Sequence, residues 1–145
     1  MAEEIEVCFP ASYQFLYLAS GLAREVARRI QKQGADKSFS SDVELCVSEA
    51  CTNAIKHGMI EESGAKISLK FSIHPNRLVI RVLDRGKGFS LDGIEAPELE
   101  KLPERGYGLF IIRSKMDHIK YDQRQDENIL EMTRYFRKRP GEGEV

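Results

Sequence analysis

Ala65, Ile67, Leu69, Phe71 and Ile73 alternate with Lys66, Ser68, Lys70 and Ser72. This period of two buries one face of a strand and wets the other. His74-Pro75-Asn76-Arg77 reads as a turn, and Leu78 to Leu83 returns as a second strand antiparallel to the first. Upstream, residues 4–9 alternate weakly and predict a short opening strand ended by Pro10. Leu16, Ala19, Leu22, Ala23, Val26 and Ile30 then recur at helical spacing, with Ser12 placed to cap the helix and Gly34 to stop it. Ser41-Asp42-Val43-Glu44 fits a capping box for a second helix with the stripe Val43, Val47, Ala50 and Ala54. That helix should end with Lys56 and His57 in its last turn and Gly58 just beyond. Residues 85–105 are broken by Gly86, Gly88, Gly93, Pro97 and Pro103 and read as a long loop of the functional kind. Leu109, Ile112 and Met116 mark a third helix, and residues 118–124 and 129–136 a closing hairpin. Helices and strands do not alternate strictly in this order. The predicted fold is therefore α+β: a two-layer sandwich with helices on one face of a mixed, mostly antiparallel sheet.

Composition narrows the function classes. The 145 residues carry 22 Lys plus Arg and 23 Asp plus Glu, a net charge of −1. A bulk nucleic-acid binder usually has a basic surplus, so no direct nucleic-acid contact is expected. No apolar run approaches the roughly 18 residues a membrane span needs. The acidic start, Met-Ala-Glu-Glu-Ile-Glu, is unlike a secretory signal, so a cytoplasmic protein without membrane contact is expected. Residues 1–136 read as a single domain and residues 137–145, which lack an apolar pattern, as a frayed tail. Cys8, Cys46 and Cys51 cannot all pair, and no C-x-x-C or Cys/His cluster accompanies them. They read as free thiols acting as small core residues in a reducing compartment, not as a zinc site.

Three polar clusters carry candidate chemistry. On the second helix, Glu49 and Asn53 fall about 40° apart on one flank of the apolar stripe, one turn apart in height. Asn offers a carbonyl oxygen to a hard cation and Glu can take a proton, although the same spacing also suits two ordinary solvated residues. In Asp84-Arg85-Gly86-Lys87-Gly88, Asp84 continues the apolar face of Leu78, Ile80 and Val82. A carboxylate there needs a partner, and a ligand donor such as an exocyclic amine would serve. Gly86 and Gly88 would let the backbone approach that ligand closely, or would simply end the strand in an Asp-x-Gly turn. The third cluster is Arg105-Gly106-Tyr107-Gly108-Leu109, at the start of the third helix. Glycines at a helix N-terminus expose amides where the dipole favours an anion, and Arg105 adds a fork-shaped cation suited to phosphate. A flexible helix entry is the alternative. Together the clusters comprise a cation ligand beside a base, an acidic group at the base of a cleft, and a phosphate cradle, which are the parts of a nucleotide site.

E-A-C-T-N-A-I-K-H-G (49–58), D-R-G-K-G-F (84–89) and R-G-Y-G-L (105–109) resemble the N, G1 and G2 boxes of the GHKL ATPases, the superfamily of gyrase and the histidine kinases. Within it the chain is most similar to the small bacterial anti-sigma-factor serine/threonine kinases. The likeness covers residues 5–136 and implies the helix–sheet sandwich of that superfamily. It implies ATP and Mg²⁺ as cofactors, with Asn53 as the Mg²⁺ ligand and Glu49 as the general base for the attacking hydroxyl. Asp84 would accept from the adenine amine, with Gly86 and Gly88 shaping the pocket and residues 89–104 forming a short lid. Arg105 would reach the terminal phosphates, and Gly106, Gly108 and Leu109 would complete the phosphate cradle. The implied partners are a STAS-domain anti-anti-sigma protein as phosphate acceptor, a sigma factor that is sequestered, and a second copy in a homodimer. The lid is acidic, with Asp92, Glu95, Glu98 and Glu100 against Lys101. That composition suits solvent or a basic partner better than phosphate, and it keeps open a non-catalytic, ATP-gated binding module of the same fold. His57 is not expected to accept phosphate, because a histidine kinase needs a further helical domain and 145 residues leave it no room.

Overall fold

The computed structural model describes residues 2–61, 64–85, 103–124 and 127–136; at residues 57–61 and 103–107 only the path of the backbone is described. The expected order of elements is present. Strand β1 spans Glu3–Pro10, helix α1 Leu16–Gln31, helix α2 Phe39–Glu61, strand β2 Lys66–Ile73 and strand β3 Arg77–Asp84. Helix α3 (Pro103–Lys115) and the hairpin of β4 (His118–Arg124) and β5 (Glu127–Tyr135) complete the fold. The strands lie in the order β1-β2-β3-β5-β4. All four pairings are antiparallel, so the expected mixed sheet contains no parallel pair among the described residues.

The pleat sorts the side chains. Leu69 lies opposite Val82, Phe71 opposite Ile80, and Ile80 opposite Met132. These residues are buried and form one apolar face. The stripe of α2 (Val43, Val47, Ala50, Ala54) packs in the same core with Ala19, Ala23, Val26 and Ile30 of α1. The other sheet face carries ion pairs, Lys70 with Glu4 at 3.2 Å and Arg81 with Glu131 at 2.8 Å. Among the described residues, no helix is long and apolar enough to cross a membrane.

Several local expectations are corrected. Ser12 precedes a short 3-10 turn, Tyr13–Phe15, and its side chain makes no capping hydrogen bond. Helix α2 begins at Phe39, whose ring is fully buried, and not at Ser41. Burying that ring draws the start of the helix back by two residues. The capping box does not form: Ser41 Oγ donates to the Ser38 carbonyl at 3.0 Å, and Glu44 pairs with Arg24 at 3.4 Å. At its other end α2 continues to Glu61, past Gly58. A glycine costs a helix interior only about 1 kcal/mol against alanine, which a helix seated along a whole core face tolerates. Gly34, with φ of 107°, does end the segment after α1 as expected. Cys46 and Cys51 are buried free thiols whose pKa burial pushes up to about 12, so both stay neutral. Cys8 is also free but exposed, on the strand face opposite Ser68, and is not a core residue. The tail at 137–145 lies outside the described residues.

Phe71, fully buried at the centre of the sheet, tests this core. Phe71→Ala should lower the unfolding free energy by about 3–5 kcal/mol, read from the urea midpoint at unchanged slope.

Candidate functional site at the junction of the second and third helices

The apolar stripe of α2 fixes the orientation of everything else on that helix. With Val47, Ala50 and Ala54 buried against the sheet, Glu49 and Asn53 fall on the flank that faces α3. Asn53 is buried, with 7% of its surface exposed, and Glu49 is half-buried. Helix α3 meets them at Gly108. A Cβ at that position would stand 3.1 Å from Glu49 Oε2, 3.3 Å from Asn53 Nδ2 and 4.0 Å from Asn53 Oδ1. The missing side chain is therefore the space the carboxylate and the carboxamide share. Leu109 beside it is buried and seats α3 at this height.

The start of α3 differs from expectation. The helix begins at Pro103, inside the segment expected to be loop up to residue 105, and Gly106 and Gly108 lie within its first two turns. Proline suits a first helical position because it has no N–H to leave unpaired. The N–H groups without an intrahelical partner are those of the first turn, which includes Gly106. Gly108 lies past that turn, so it contributes closeness of approach. Arg105 is in the first turn, and its side chain lies outside the described residues, as does that of His57 on α2. Gly86, Gly88 and the acidic lid segment also lie outside them.

Asp84 ends β3 on the helix-facing side, in line with Leu78, Ile80 and Val82, and is 9% exposed. Burial pushes its carboxyl pKa up from the ordinary 3.8, and a hydrogen bond from Asn128 opposes that shift. Asn128 sits directly across the ladder on β5, and its Nδ2 donates to Asp84 Oδ1 at 3.0 Å. The sequence reading left this carboxylate to a ligand and missed its protein partner. A signal for Asn128 was nevertheless present. It precedes Leu130 and Met132 at the same period of two, so it is a polar residue at the end of a buried row, as Asp84 is. A cavity of about 290 Å³ opens at Asp84, which lines it together with Lys66, Ser68, Leu83, Arg85 and Glu127. Glu49, Asn53 and Gly108 do not line it.

In chemical terms the arrangement places a proton acceptor beside a carboxamide oxygen donor, with the backbone of a third element closely approached. A buried carboxylate, Asp84, stands at the end of β3, held by its hydrogen bond from Asn128. Residues 15–134 match the family described as "Histidine kinase-like ATPase domain". The chain is 31% identical over 144 residues to "Serine-protein kinase RsbW" of Bacillus thuringiensis, covering 94% of this chain and 87% of that one. It is 32% identical over 140 residues to the protein of the same name from Oceanobacillus iheyensis, covering 91% and 86%. The Bacillus anthracis protein of that name is 31% identical over 144 residues, covering 94% and 87%.

Two outcomes follow from the geometry. Gly108→Ala should keep the unfolding free energy within about 1 kcal/mol of wild type, since helix propensity gained offsets crowding against two flexible side-chain ends. A crystal structure of that variant should show Glu49 and Asn53 displaced. Asp84 is the second case. Its folded pKa lies above its unfolded value, so the folded state holds the proton longer. Its contribution to stability therefore declines as pH rises from near 3.8 through the folded pKa. Asp84→Asn should remove that decline and raise neutral-pH stability relative to wild type, measured by urea unfolding across a pH series.

Proposed function

Because the chain belongs to the histidine kinase-like ATPase family, we propose that it is an ATP-dependent protein serine/threonine kinase acting at the α2–α3 junction. The observation that carries this reading is the gap at Gly108, where the first and third sequence clusters meet within 3.3 Å of one Cβ position. The relatives named as serine-protein kinases support the reaction class. The acceptor is a serine or threonine hydroxyl on a STAS-domain anti-anti-sigma protein. The kinase itself, as a homodimer in the cytoplasm, also sequesters a sigma factor.

Each residue's contribution follows from its chemistry. Asp84 accepts a hydrogen bond from the exocyclic amine of adenine. Asn128 fixes one carboxylate oxygen, so the group is oriented before the nucleotide arrives, and burial strengthens the bond by keeping water away. Gly86 and Gly88 let the backbone pass close to the base. Arg105 and the first-turn amides of α3, Gly106 among them, hold the phosphate chain through charge and the helix dipole. Asn53 Oδ1 is a hard oxygen suited to Mg²⁺. Phosphate oxygens and water would complete the coordination of such a cation. When bound, that ion neutralises charge on the phosphates. Glu49 takes the proton from the acceptor hydroxyl. The freed oxygen attacks the terminal phosphorus, and the bond to the leaving ADP breaks.

Labelled ATP with Mg²⁺ and the STAS partner tests this reading. Glu49→Gln should reduce labelling of the partner by about 10²–10⁴-fold while ATP affinity stays within about twofold of wild type. Asn53→Ala should instead weaken Mg²⁺-dependent ATP binding itself by roughly tenfold or more. Wild type that binds ATP and captures the partner without labelling it would establish the non-catalytic, ATP-gated module in its place.

A further inference from the structure

The far ends of the same two helices are joined by a charge cluster, buried at its Arg134–Asp42 centre and exposed at Lys115 and Asp36, that the nucleotide chemistry does not use. Asp42, in the first turn of α2, and Arg134, on β5, are 11% and 13% exposed at their side chains. Arg134 Nη1 donates to Asp42 Oδ2 at 2.8 Å and to the carbonyl of Lys115 at 2.7 Å. Lys115 is the last residue of α3. One guanidinium nitrogen therefore touches α2 and α3 together from the strand beneath them. Lys115 Nζ returns to Asp42 Oδ1 at 3.6 Å, and Asp36 lies 4.0 Å from Arg134 Nη2. The guanidinium rests over the Phe39 ring at 5.7 Å, so its plane is held as well. The last carbonyls of a helix have no partner within it, and a cation placed there satisfies both the lone pair and the dipole.

The spacing gives this cluster a consequence at the site. From Asp42 to Glu49 is seven residues along α2, and from Lys115 back to Gly108 is seven along α3. The two helices run antiparallel here, so two turns from the clamp on each helix lead to the Gly108 contact. Sliding α3 by one residue moves it about 1.5 Å along its axis. Such a shift would carry the Cβ-free position away from Glu49 and Asn53 and bring a side chain into their gap. A buried ion pair adds little to stability, but Arg134 makes its contacts to α2 and α3 together only at this register.

We propose that Arg134 and Asp42 are positioning residues: they set the register of α3 on α2 and through it the geometry that Glu49, Asn53 and Gly108 present to a nucleotide. The assignment rests on the nucleotide reading above.

The test compares Arg134→Met, Asp42→Asn and the double variant with wild type. One readout is affinity for Mg-ATP by calorimetry. The other is hydrogen–deuterium exchange of residues 108–115 without nucleotide. Ile30→Val, in the α1 core, serves as a variant that lowers stability away from the site. Each clamp variant should weaken Mg-ATP binding by about fivefold or more, with faster exchange in α3. The double variant should be no worse than the worse single one, because the two residues act as a unit. Ile30→Val should bind as wild type does. Should Arg134→Met fail to fold, Asp42→Asn, which keeps size and shape, carries the test. A wild type without affinity for Mg-ATP overturns the nucleotide reading and this assignment with it. A wild type that binds, beside folded clamp variants that bind equally well with unchanged exchange, overturns the assignment alone. So does an Ile30→Val loss as large as theirs.

Discussion

Helix α3 can approach the polar flank of α2 because residue 108 carries no side chain. A methyl group there would already press on Glu49 Oε2 at 3.1 Å and Asn53 Nδ2 at 3.3 Å, and anything larger would fill the gap. The constraint runs both ways. Glu49 and Asn53 can lie half-buried and buried, drawn out of bulk water, only because α3 covers them. The covering element leaves them room only because it presents backbone. Polar groups set at such a boundary interact more strongly than on an open surface and remain reachable from one side.

The sheet makes an equivalent arrangement at the paired ends of β3 and β5. The rows Leu78–Ile80–Val82 and Leu130–Met132 bury apolar surface, and each row ends in a polar residue, Asp84 and Asn128. Strand pairing places the two opposite each other. The hydrogen bond between them lowers the cost of burying a carboxylate that desolvation would otherwise drive toward its neutral form. Apolar packing thus positions two separate polar features, one at a helix flank and one at a strand end. The charge cluster of Arg134, Asp42 and Lys115 ties the helix layer to the sheet beneath it.

Legibility differed by element for physical reasons. Strand β2 was plain because one wetted and one buried face impose alternation, and the burial follows it from Lys66 to Phe71; it breaks at Ser72 in β2 and at Val79 in β3, which are buried on the other face. The flank position of Glu49 and Asn53 was likewise calculable, since a stripe as regular as Val43, Val47, Ala50 and Ala54 fixes the rotation of its helix. The ends of α2 were misread at both sides. Local capping signals at Ser41 and Gly58 predicted its bounds, whereas the helix starts at the buried Phe39 and runs on to Glu61. The third cluster was placed at the start of its helix, with a flexible entry as the alternative, and its glycines lie in the first two turns of that helix. Glycine signals permissiveness without saying whether a turn or a close contact exploits it.

The order of elements, the α+β class and the identity of the chemical groups followed from the sequence by itself. Each depends on periodicity or residue type, which are local properties of the chain. The three polar boxes are likewise legible as strings, and family similarity extends across almost the whole chain. What only the tertiary structure decided are the contacts between residues far apart in sequence. These are the meeting of Gly108 with Glu49 and Asn53, the pairing of Asn128 with Asp84, and the bridge from Arg134 to both helices. Such contacts depend on strand register and on how one helix slides along another. Those quantities are set by the packing of the complete core, and no single segment of the chain contains them.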